Sequence, residues 1–259
     1  MNPVELTSHE DSVRMFNAKG TSPVVVVCEH ASAFIPAKFS NLGLAGDALQ
    51  SHAAWDPGAL ALAKGLAVRL DAKLVTSGVS RLVYDCNRPP SAADAMPYQS
   101  EAITVPGNQH LTAEQRQERV EKYYEPFRAA LADTIAGTAM PVIVTIHSFT
   151  PIYHGKMRAV EIGILHDSDT RLADVMLDNA HDHTDRLVQR NEPYGPTHGV
   201  THTLKEHALV NGHWNVMLEV RNDLIRETDQ QEQMAESIAN WLADALARLQ
   251  DDGVAQCQA

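Results

Sequence analysis

Two histidines, each directly after a run rich in β-branched residues, have the clearest potential for chemistry in this sequence. His30 follows Val24-Val25-Val26-Val27-Cys28-Glu29, and His147 follows Val142-Ile143-Val144-Thr145-Ile146. Such runs predict strands that are buried on both faces of a sheet. Open α/β sheets bind ligands just beyond the carboxyl ends of their strands, so we expect both imidazoles to share one metal site.

A third metal ligand is expected nearby, because catalytic zinc usually has three protein ligands and one open position. Asp56 is the preferred candidate, with Glu29 and His52 as alternatives. Asp56 also has a structural interpretation, since it precedes Pro57 and is predicted to be a helix N-cap. The sequence contains no HExxH motif, which excludes helix-borne metalloprotease chemistry. The expected cofactor is Zn²⁺, although another divalent metal would suit the same donors.

Glu219 lies near the end of a third predicted buried strand, Asn215 to Val220. A carboxylate in that position costs several kcal/mol unless it is paired or hydrogen-bonded. One interpretation is a structural ion pair with Arg221 or another arginine. The other is a general base that activates metal-bound water, with a pKa raised by burial.

Arginines cluster around the predicted site. Arg88 follows Asn87 and precedes two prolines, and its planar guanidinium suits a substrate carboxylate. Arg81 suits the polarisation of a carbonyl group. Arg158 could do either, or it could be an ordinary surface arginine.

The elements that must position these side chains alternate along the chain. The predicted strands are 24–28, 73–76, 82–85, 142–146, 159–165 and 215–220. The predicted helices run from Asp56 to about Leu70, from the Thr112 capping box with a kink at Pro126, over 171–189, and from Thr228 to about Leu249. This alternation predicts an α/β fold with a mixed, largely parallel sheet and helices on both faces. We expect one domain over 1–259, with an irregular lead-in at 1–22 and a tail at 250–259.

Composition narrows the possible partners. The formal net charge is −12 over 259 residues, which argues against a groove for nucleic acid. The sequence contains no signal peptide and no apolar run near 18 residues, so no membrane association is expected. Three cysteines without a CxxC pair argue against a disulfide framework and favour a reducing compartment. We therefore expect a cytoplasmic protein that acts on a small molecule.

Six motifs together resemble the N-formylglutamate amidohydrolase family, and the resemblance covers about residues 23 to 246. They are Val27–Ser32, Trp55–Ala59, Ser80–Pro89, Ile146–Pro151, Asn191–Tyr194 and Glu219–Leu224. The resemblance implies a fold similar to that of zinc carboxypeptidases and other phosphorylase/hydrolase-like proteins. It also implies an ordered site of two early metal ligands, an Asn-Arg carboxylate clamp, a later histidine ligand and a final glutamate base.

This chain offers that order as His30 and Asp56, then Asn87-Arg88, then His147, then Glu219. It departs from the carboxypeptidases because its early ligands lack their close His-x-x-Glu spacing. The carboxylate ligand therefore remains open between Asp56 and Glu29. In more distant family members, the first motif resembles Pro-His-Ser-Gly, where this chain has Glu29-His30-Ala31-Ser32. Both motifs contain the histidine, which favours His30 as a ligand.

The resemblance implies a zinc amidohydrolase that converts N-formyl-L-glutamate to formate and L-glutamate, a reaction of histidine degradation. In this hypothesis Glu219 takes a proton from water, and Arg81 stabilises the oxyanion with the metal. Asn87 and Arg88 hold a substrate carboxylate, with Arg158 nearby, and Tyr194 closes over the substrate. The alternatives are a deacylase or carboxypeptidase-like enzyme for another N-acyl amino acid or peptide, and a non-catalytic amino-acid-binding relative.

Overall fold

The computed structural model describes residues 11–257, which form eleven strands and six α-helices. The strands are β1 (Val13–Phe16), β2 (Val24–Cys28), β3 (Lys73–Ser77), β4 (Gln99–Ser100), β5 (Ile103–Thr104), β6 (Val142–Phe149), β7 (Ile152–Tyr153), β8 (Lys156–Met157), β9 (Ile162–Leu165), β10 (Val188–Arg190) and β11 (Asn215–Arg221). The helices are α1 (Ala59–Arg69), α2 (Ala113–Arg119), α3 (Glu125–Ala136), α4 (Arg171–Asp178), α5 (Ala180–His183) and α6 (Thr228–Cys257). No helix within 11–257 is both long enough and apolar enough to cross a membrane.

Seven strands form one sheet in the order β1-β3-β2-β6-β11-β9-β10, and the other four form two small hairpins. Strands β3, β2, β6 and β11 run parallel to one another, while β1 and β9 run antiparallel to their neighbours β3 and β11. The predicted mixed, largely parallel α/β sheet is confirmed. Because the carboxyl ends of β2, β6 and β11 meet at one edge, the three strands deliver their terminal side chains to a single region.

Both faces of the sheet are covered, as the apolar strand runs require. Alternate residues of β2 point to opposite faces, so Val24 and Val26 pack with α1, α4 and α6 while Val25 and Val27 pack with α3. Trp241 of α6 is fully buried and donates its indole N–H to the carbonyl of Met176 at 2.9 Å. The site strands are therefore fixed between two apolar layers.

Several predicted boundaries are wrong, mostly at the edges of the sheet. The expected irregular lead-in contains β1, which pairs with β3; residues 1–10 lie outside the described chain. The predicted helix over 171–189 is instead α4 and α5, followed by the edge strand β10. The predicted tail is helical, because α6 continues to Cys257. Short edge strands have a weak local pattern, and their neighbours decide their pairing.

Two corrections concern the site itself. The segment Leu82 to Asp85 is not a strand but a series of turns, since Val83 and Tyr84 both donate their N–H groups to the carbonyl of Ser80. Asp56 is not the N-cap of α1, because the helix begins at Ala59 and Gly58 occupies the cap position with φ +84°. The Asp56 side chain is therefore free for another role.

Gly58→Ala is expected to destabilise the protein by about 3 kcal/mol or more. The left-handed backbone costs an alanine roughly 1–2 kcal/mol, and the added Cβ would lie 2.5 Å from the carbonyl oxygen of Ile225. Gly46→Ala is a matched control, because Gly46 also has positive φ but an added Cβ there would meet no atom of the described chain within 4 Å. Urea denaturation should give a clearly larger loss for Gly58→Ala; equal losses would contradict the steric argument.

Candidate active site

Three buried donor atoms converge at the carboxyl edge of the sheet. His30 follows β2, His147 lies in β6, and Asp56 precedes α1, whose packing against β2 brings it to the same point. The Oδ2 atom of Asp56 lies 3.1 Å from Nδ1 of His30 and 2.9 Å from Nδ1 of His147. The two Nδ1 atoms lie 3.1 Å apart. The structure thus brings together the three predicted metal ligands.

This geometry suits a divalent metal ion. A tetrahedral centre with ligand bonds of 2.0–2.1 Å places its ligand atoms roughly 3.3 Å apart, close to the observed separations. Although burial favours the protonated acid, the charges and hydrogen bonds of the two imidazoles hold the pKa of Asp56 well below its usual value. An ionised carboxylate with two imidazoles is a common zinc donor set. His30, Asp56 and His147 could therefore hold a metal ion.

The other nitrogen of each imidazole faces a second buried carboxylate. Nε2 of His30 is hydrogen-bonded to Oδ1 of Asp85 at 2.8 Å. Nε2 of His147 lies 3.1 Å from Oε2 of Glu29, without the alignment of a hydrogen bond. Metal-bound histidines commonly donate their other ring N–H to a carboxylate, which leaves the facing nitrogen unprotonated for the metal. Glu29 therefore lies behind His147, and the geometry favours Asp56 as the carboxylate ligand.

Glu219 lies beside the donor cluster, directly opposite His147 in the β11–β6 register. Burial raises its pKa to about 7, although the neighbouring His147 opposes this effect. Its Oε2 atom is buried and has no hydrogen-bond partner among the described residues. The structural alternative, a pair with Arg221, is not observed, because Arg221 bonds to Asp223 at 2.8 Å. Glu219 therefore combines a carboxylate of near-neutral pKa with a free oxygen.

Arg81 contacts two of the buried carboxylates, those of Asp85 and Asp56. Its Nη2 atom donates to Oδ2 of Asp85 at 2.8 Å, and its Nη1 atom lies 3.6 Å from Oδ1 of Asp56. Burial would lower the pKa of Arg81, but Asp85 and Asp56 outweigh it and raise that pKa above its ordinary value. Arg81 thus remains a fixed positive charge beside the predicted metal ligands.

A cavity of about 260 Å³ opens onto these groups. Arg88 lies in its wall, with Nε donating to Asp94 at 2.7 Å and Nη1 donating to the carbonyls of Asn87 and Gly199. The hydrogen bonds of the Arg88 side chain within residues 11–251 are made by Nε and Nη1, and none by Nη2. Asn87 also lies in the wall, but both ends of its side-chain amide bond to protein backbone. The predicted contact of each residue with a carboxylate stays a prediction.

Tyr194 lies in the same wall and Arg158 lies behind it. Nη2 of Arg158 donates to the Tyr194 hydroxyl at 2.9 Å, and the guanidinium lies 4.3 Å from the ring centroid of Tyr153. Burial raises the pKa of Tyr194, so its hydroxyl keeps its proton at neutral pH. His52, an alternative ligand in the sequence, lies instead at the cavity wall with Nε2 2.9 Å from Oε2 of Glu101.

Asp85 is a functional candidate that the sequence analysis did not single out. One carboxylate oxygen contacts the His30 ring and the other accepts from Arg81, so the residue connects a predicted ligand to a predicted catalytic arginine. Asp85 lies between Arg81 and Arg88 in the sequence. An acidic residue between two candidate site arginines is the pattern that could have identified it.

A mixed α/β sheet with a buried His-Asp-His group, a glutamate and arginines at its carboxyl edge suits a hydrolase, and the His-Asp-His group could hold a metal ion. The model of the N-formylglutamate amidohydrolase family matches residues 22–226, and the chain belongs to this family. It is therefore an amidohydrolase by family, as the six sequence motifs predicted.

Two solved structures are similar to this chain. The crystal structure of a gene product from Agrobacterium tumefaciens has a TM-score of 0.90 and 49% identity, over 93% of this chain and 97% of that one. The crystal structure of N-formylglutamate amidohydrolase from Ralstonia eutropha has a TM-score of 0.66 and 17% identity, over 93% of this chain and 98% of that one. The second likeness shows a shared fold. No match was found among curated proteins.

Proposed function

We propose that this amidohydrolase hydrolyses N-formyl-L-glutamate to formate and L-glutamate, as a Zn²⁺-dependent enzyme. The observation that carries the proposal is the convergence of His30, Asp56 and His147 within 3.1 Å of one another, in a cavity that Glu219 and Arg88 also line. The cavity volume of about 260 Å³ lies near the lower end of the range of roughly 300–1,000 Å³ found for small-ligand sites.

His30, Asp56 and His147 would hold the metal ion, which when bound polarises a carbonyl group and lowers the pKa of water. Glu219 accepts a proton from the attacking water molecule and passes it to the amine nitrogen of the departing glutamate. Arg81 lies beside the ligands and stabilises negative charge on the carbonyl oxygen. Asp85 fixes both the Arg81 guanidinium and the His30 ring in position.

Arg88 would bind a substrate carboxylate through its Nη2 atom, and Tyr194 would donate a hydrogen bond into the cavity. Arg158 supports Tyr194, since the hydroxyl oxygen already accepts from its guanidinium. That acceptance leaves the hydroxyl proton free for the substrate.

The test is the release of formate from N-formyl-L-glutamate by protein purified without chelators and analysed for metal. A parallel panel contains N-acetyl and N-succinyl glutamate, N-formyl aspartate, and a dipeptide that ends in glutamate. We expect N-formyl-L-glutamate to have the highest kcat/KM. Faster release of another acyl group would reassign the substrate, and no hydrolysis of any member would favour a non-catalytic binding protein.

Arg88→Ala is expected to raise KM for N-formyl-L-glutamate by about 10- to 200-fold, because a charge-assisted hydrogen bond to a carboxylate contributes roughly 1.5–3 kcal/mol. Steady-state kinetics would measure the effect. The matched control is Arg116→Ala: Arg116 donates to the backbone at Ala92 outside the cavity wall, so its loss should leave KM within about twofold. An unchanged KM for Arg88→Ala would contradict the assigned role.

A further inference from the structure

The Asn87 side chain is bonded at both ends to one distant segment of the chain. Its Nδ2 group donates to the carbonyl oxygen of Val200 at 2.6 Å, and its Oδ1 atom accepts from the backbone N–H of Thr203 at 3.0 Å. The side chain is almost fully buried, with 1% of the residue exposed. The amide is therefore already engaged before any substrate arrives.

The bond to Thr203 satisfies a group that would otherwise lack a partner. Thr203 precedes the π-helical turn Leu204–Ala208, and its own side chain makes no capping bond. The first N–H groups of a helix have no acceptor within the helix. Asn87 provides that acceptor from more than 110 positions away in the sequence. An unsatisfied buried N–H costs about 1–3 kcal/mol, which opposes any transfer of this amide to a substrate.

Arg88 holds the same segment, because its Nη1 group donates to the carbonyl of Gly199 at 3.1 Å. The upstream end of the segment is also fixed: the N–H of Asn191 donates to the carbonyl of Ile164, and its Oδ1 atom accepts from the N–H of His166. Between these two attachments, Tyr194 and His198 line the cavity. Asn87 and Arg88 thus determine where this cavity wall lies.

We propose that Asn87 is a positioning residue that fixes residues 191–203 over the cavity, and that of the Asn87-Arg88 pair only Arg88 contacts the substrate carboxylate. This inference replaces the substrate contact expected for Asn87 from the sequence. Its kinetic consequences rest on the proposed function, whereas the attachment itself belongs to the free protein. A loosened segment would displace Tyr194, and kcat/KM would fall without the loss of any direct contact between Asn87 and substrate.

Hydrogen–deuterium exchange of the free protein tests the attachment directly. In Asn87→Ala, amides of residues 199–203 should exchange about tenfold faster or more, because local opening loses two buried hydrogen bonds. Asn108→Ala is the matched control. Asn108 is another buried asparagine whose side-chain amide donates to backbone carbonyls, those of Leu82 and Pro97, and it makes no bond to residues 199–203 of the described chain, so Asn108→Ala should leave their exchange unchanged.

Thr203→Pro separates the two interpretations and covers the case in which Asn87→Ala does not fold. Proline suits the φ of −58° at this position and removes the N–H that Asn87 binds, while the Asn87 amide stays in the cavity wall. Its control is Thr203→Val, which keeps that N–H. We expect Thr203→Pro, but not Thr203→Val, to repeat both the faster exchange and a fall in kcat/KM of about 10- to 100-fold.

The opposite results would overturn the proposal. If Asn87 contacts substrate, Asn87→Ala will raise KM at constant kcat with unchanged exchange at 199–203, and Thr203→Pro will leave both kinetic constants unchanged. The exchange experiment contains no substrate. Failure of N-formyl-L-glutamate as a substrate would therefore contradict the proposed function without affecting the measured attachment.

Discussion

Glu219→Gln is expected to lower kcat by about 10²–10⁴-fold, the usual contribution of a positioned general base, while bound metal stays unchanged. The amide keeps the shape of the side chain but cannot accept a proton from water. Glu219 lies next to the donor cluster without belonging to it, since the three converging atoms come from His30, Asp56 and His147. Steady-state kinetics with metal analysis of the same sample would measure both quantities.

The same residue predicts the pH dependence. Burial raises the pKa of Glu219 to about 7 in the metal-free protein, and the positive charge of a bound metal ion would lower it. In the metal-loaded enzyme, kcat/KM should therefore fall about tenfold per pH unit on an acid limb that lies below pH 7. In the metal-free protein the folded pKa lies above the unfolded value of about 4.3, so ionisation of Glu219 costs folding free energy as pH rises between these values. Glu219→Gln should therefore be no less stable than the wild type above pH 7.

A matched control is Glu161→Gln. Glu161 is also a glutamate beside the central sheet, but it pairs with Arg186 at 3.2 Å and contributes nothing to the cavity wall. Its replacement should leave kcat within about twofold. If Glu219→Gln retained at least a tenth of the wild-type kcat, or lost its metal, the assignment of Glu219 as the base would be wrong.

The central part of the site was predictable because it depends on regular geometry. Runs of β-branched residues predicted the buried strands β2, β6 and β11, and parallel strands must place His30, His147 and Glu219 at the same edge. The apolar runs therefore predicted the positions of three side chains of the candidate site. The edge strands were less predictable from the sequence. Strands β1 and β10 are only four and three residues long, and they depend on the neighbouring strands with which they pair.

The less predictable part consists of side chains on irregular backbone. Asp85 lies among turns that are held by hydrogen bonds to other segments, including one from its own N–H to the carbonyl of Ala95. Such a position has no repeating sequence pattern from which it could be predicted. Asn87 is a similar case, because its partners Val200 and Thr203 lie far away in sequence. The structure places Asp56 beside His30 and His147, so its role as a metal ligand stays a prediction. Its predicted capping role was wrong, because Gly58 occupies the cap position of α1.

Asp56→Ala is expected to remove most of the bound metal and to lower kcat/KM by at least about 10³-fold, because the metal supplies several kcal/mol of transition-state stabilisation. The physical reason is local: the Oδ2 atom of Asp56 lies within 3.1 Å of both facing Nδ1 atoms, and without it two imidazoles face each other with no anion between them. Metal content after gel filtration and formate release would be measured together.

Glu29→Gln is the informative comparison, because the sequence left Asp56 and Glu29 as competing carboxylate ligands. Glu29 contacts the far nitrogen of His147 at 3.1 Å and lies outside the converging trio. An outer carboxylate typically contributes 10- to 100-fold in metal affinity, so Glu29→Gln should still bind one metal ion when the metal is in excess. Asp56→Ala should not recover its activity under those conditions. If the two variants behaved the other way round, Glu29 would be the ligand, and the His147 ring would bind the metal through its opposite nitrogen.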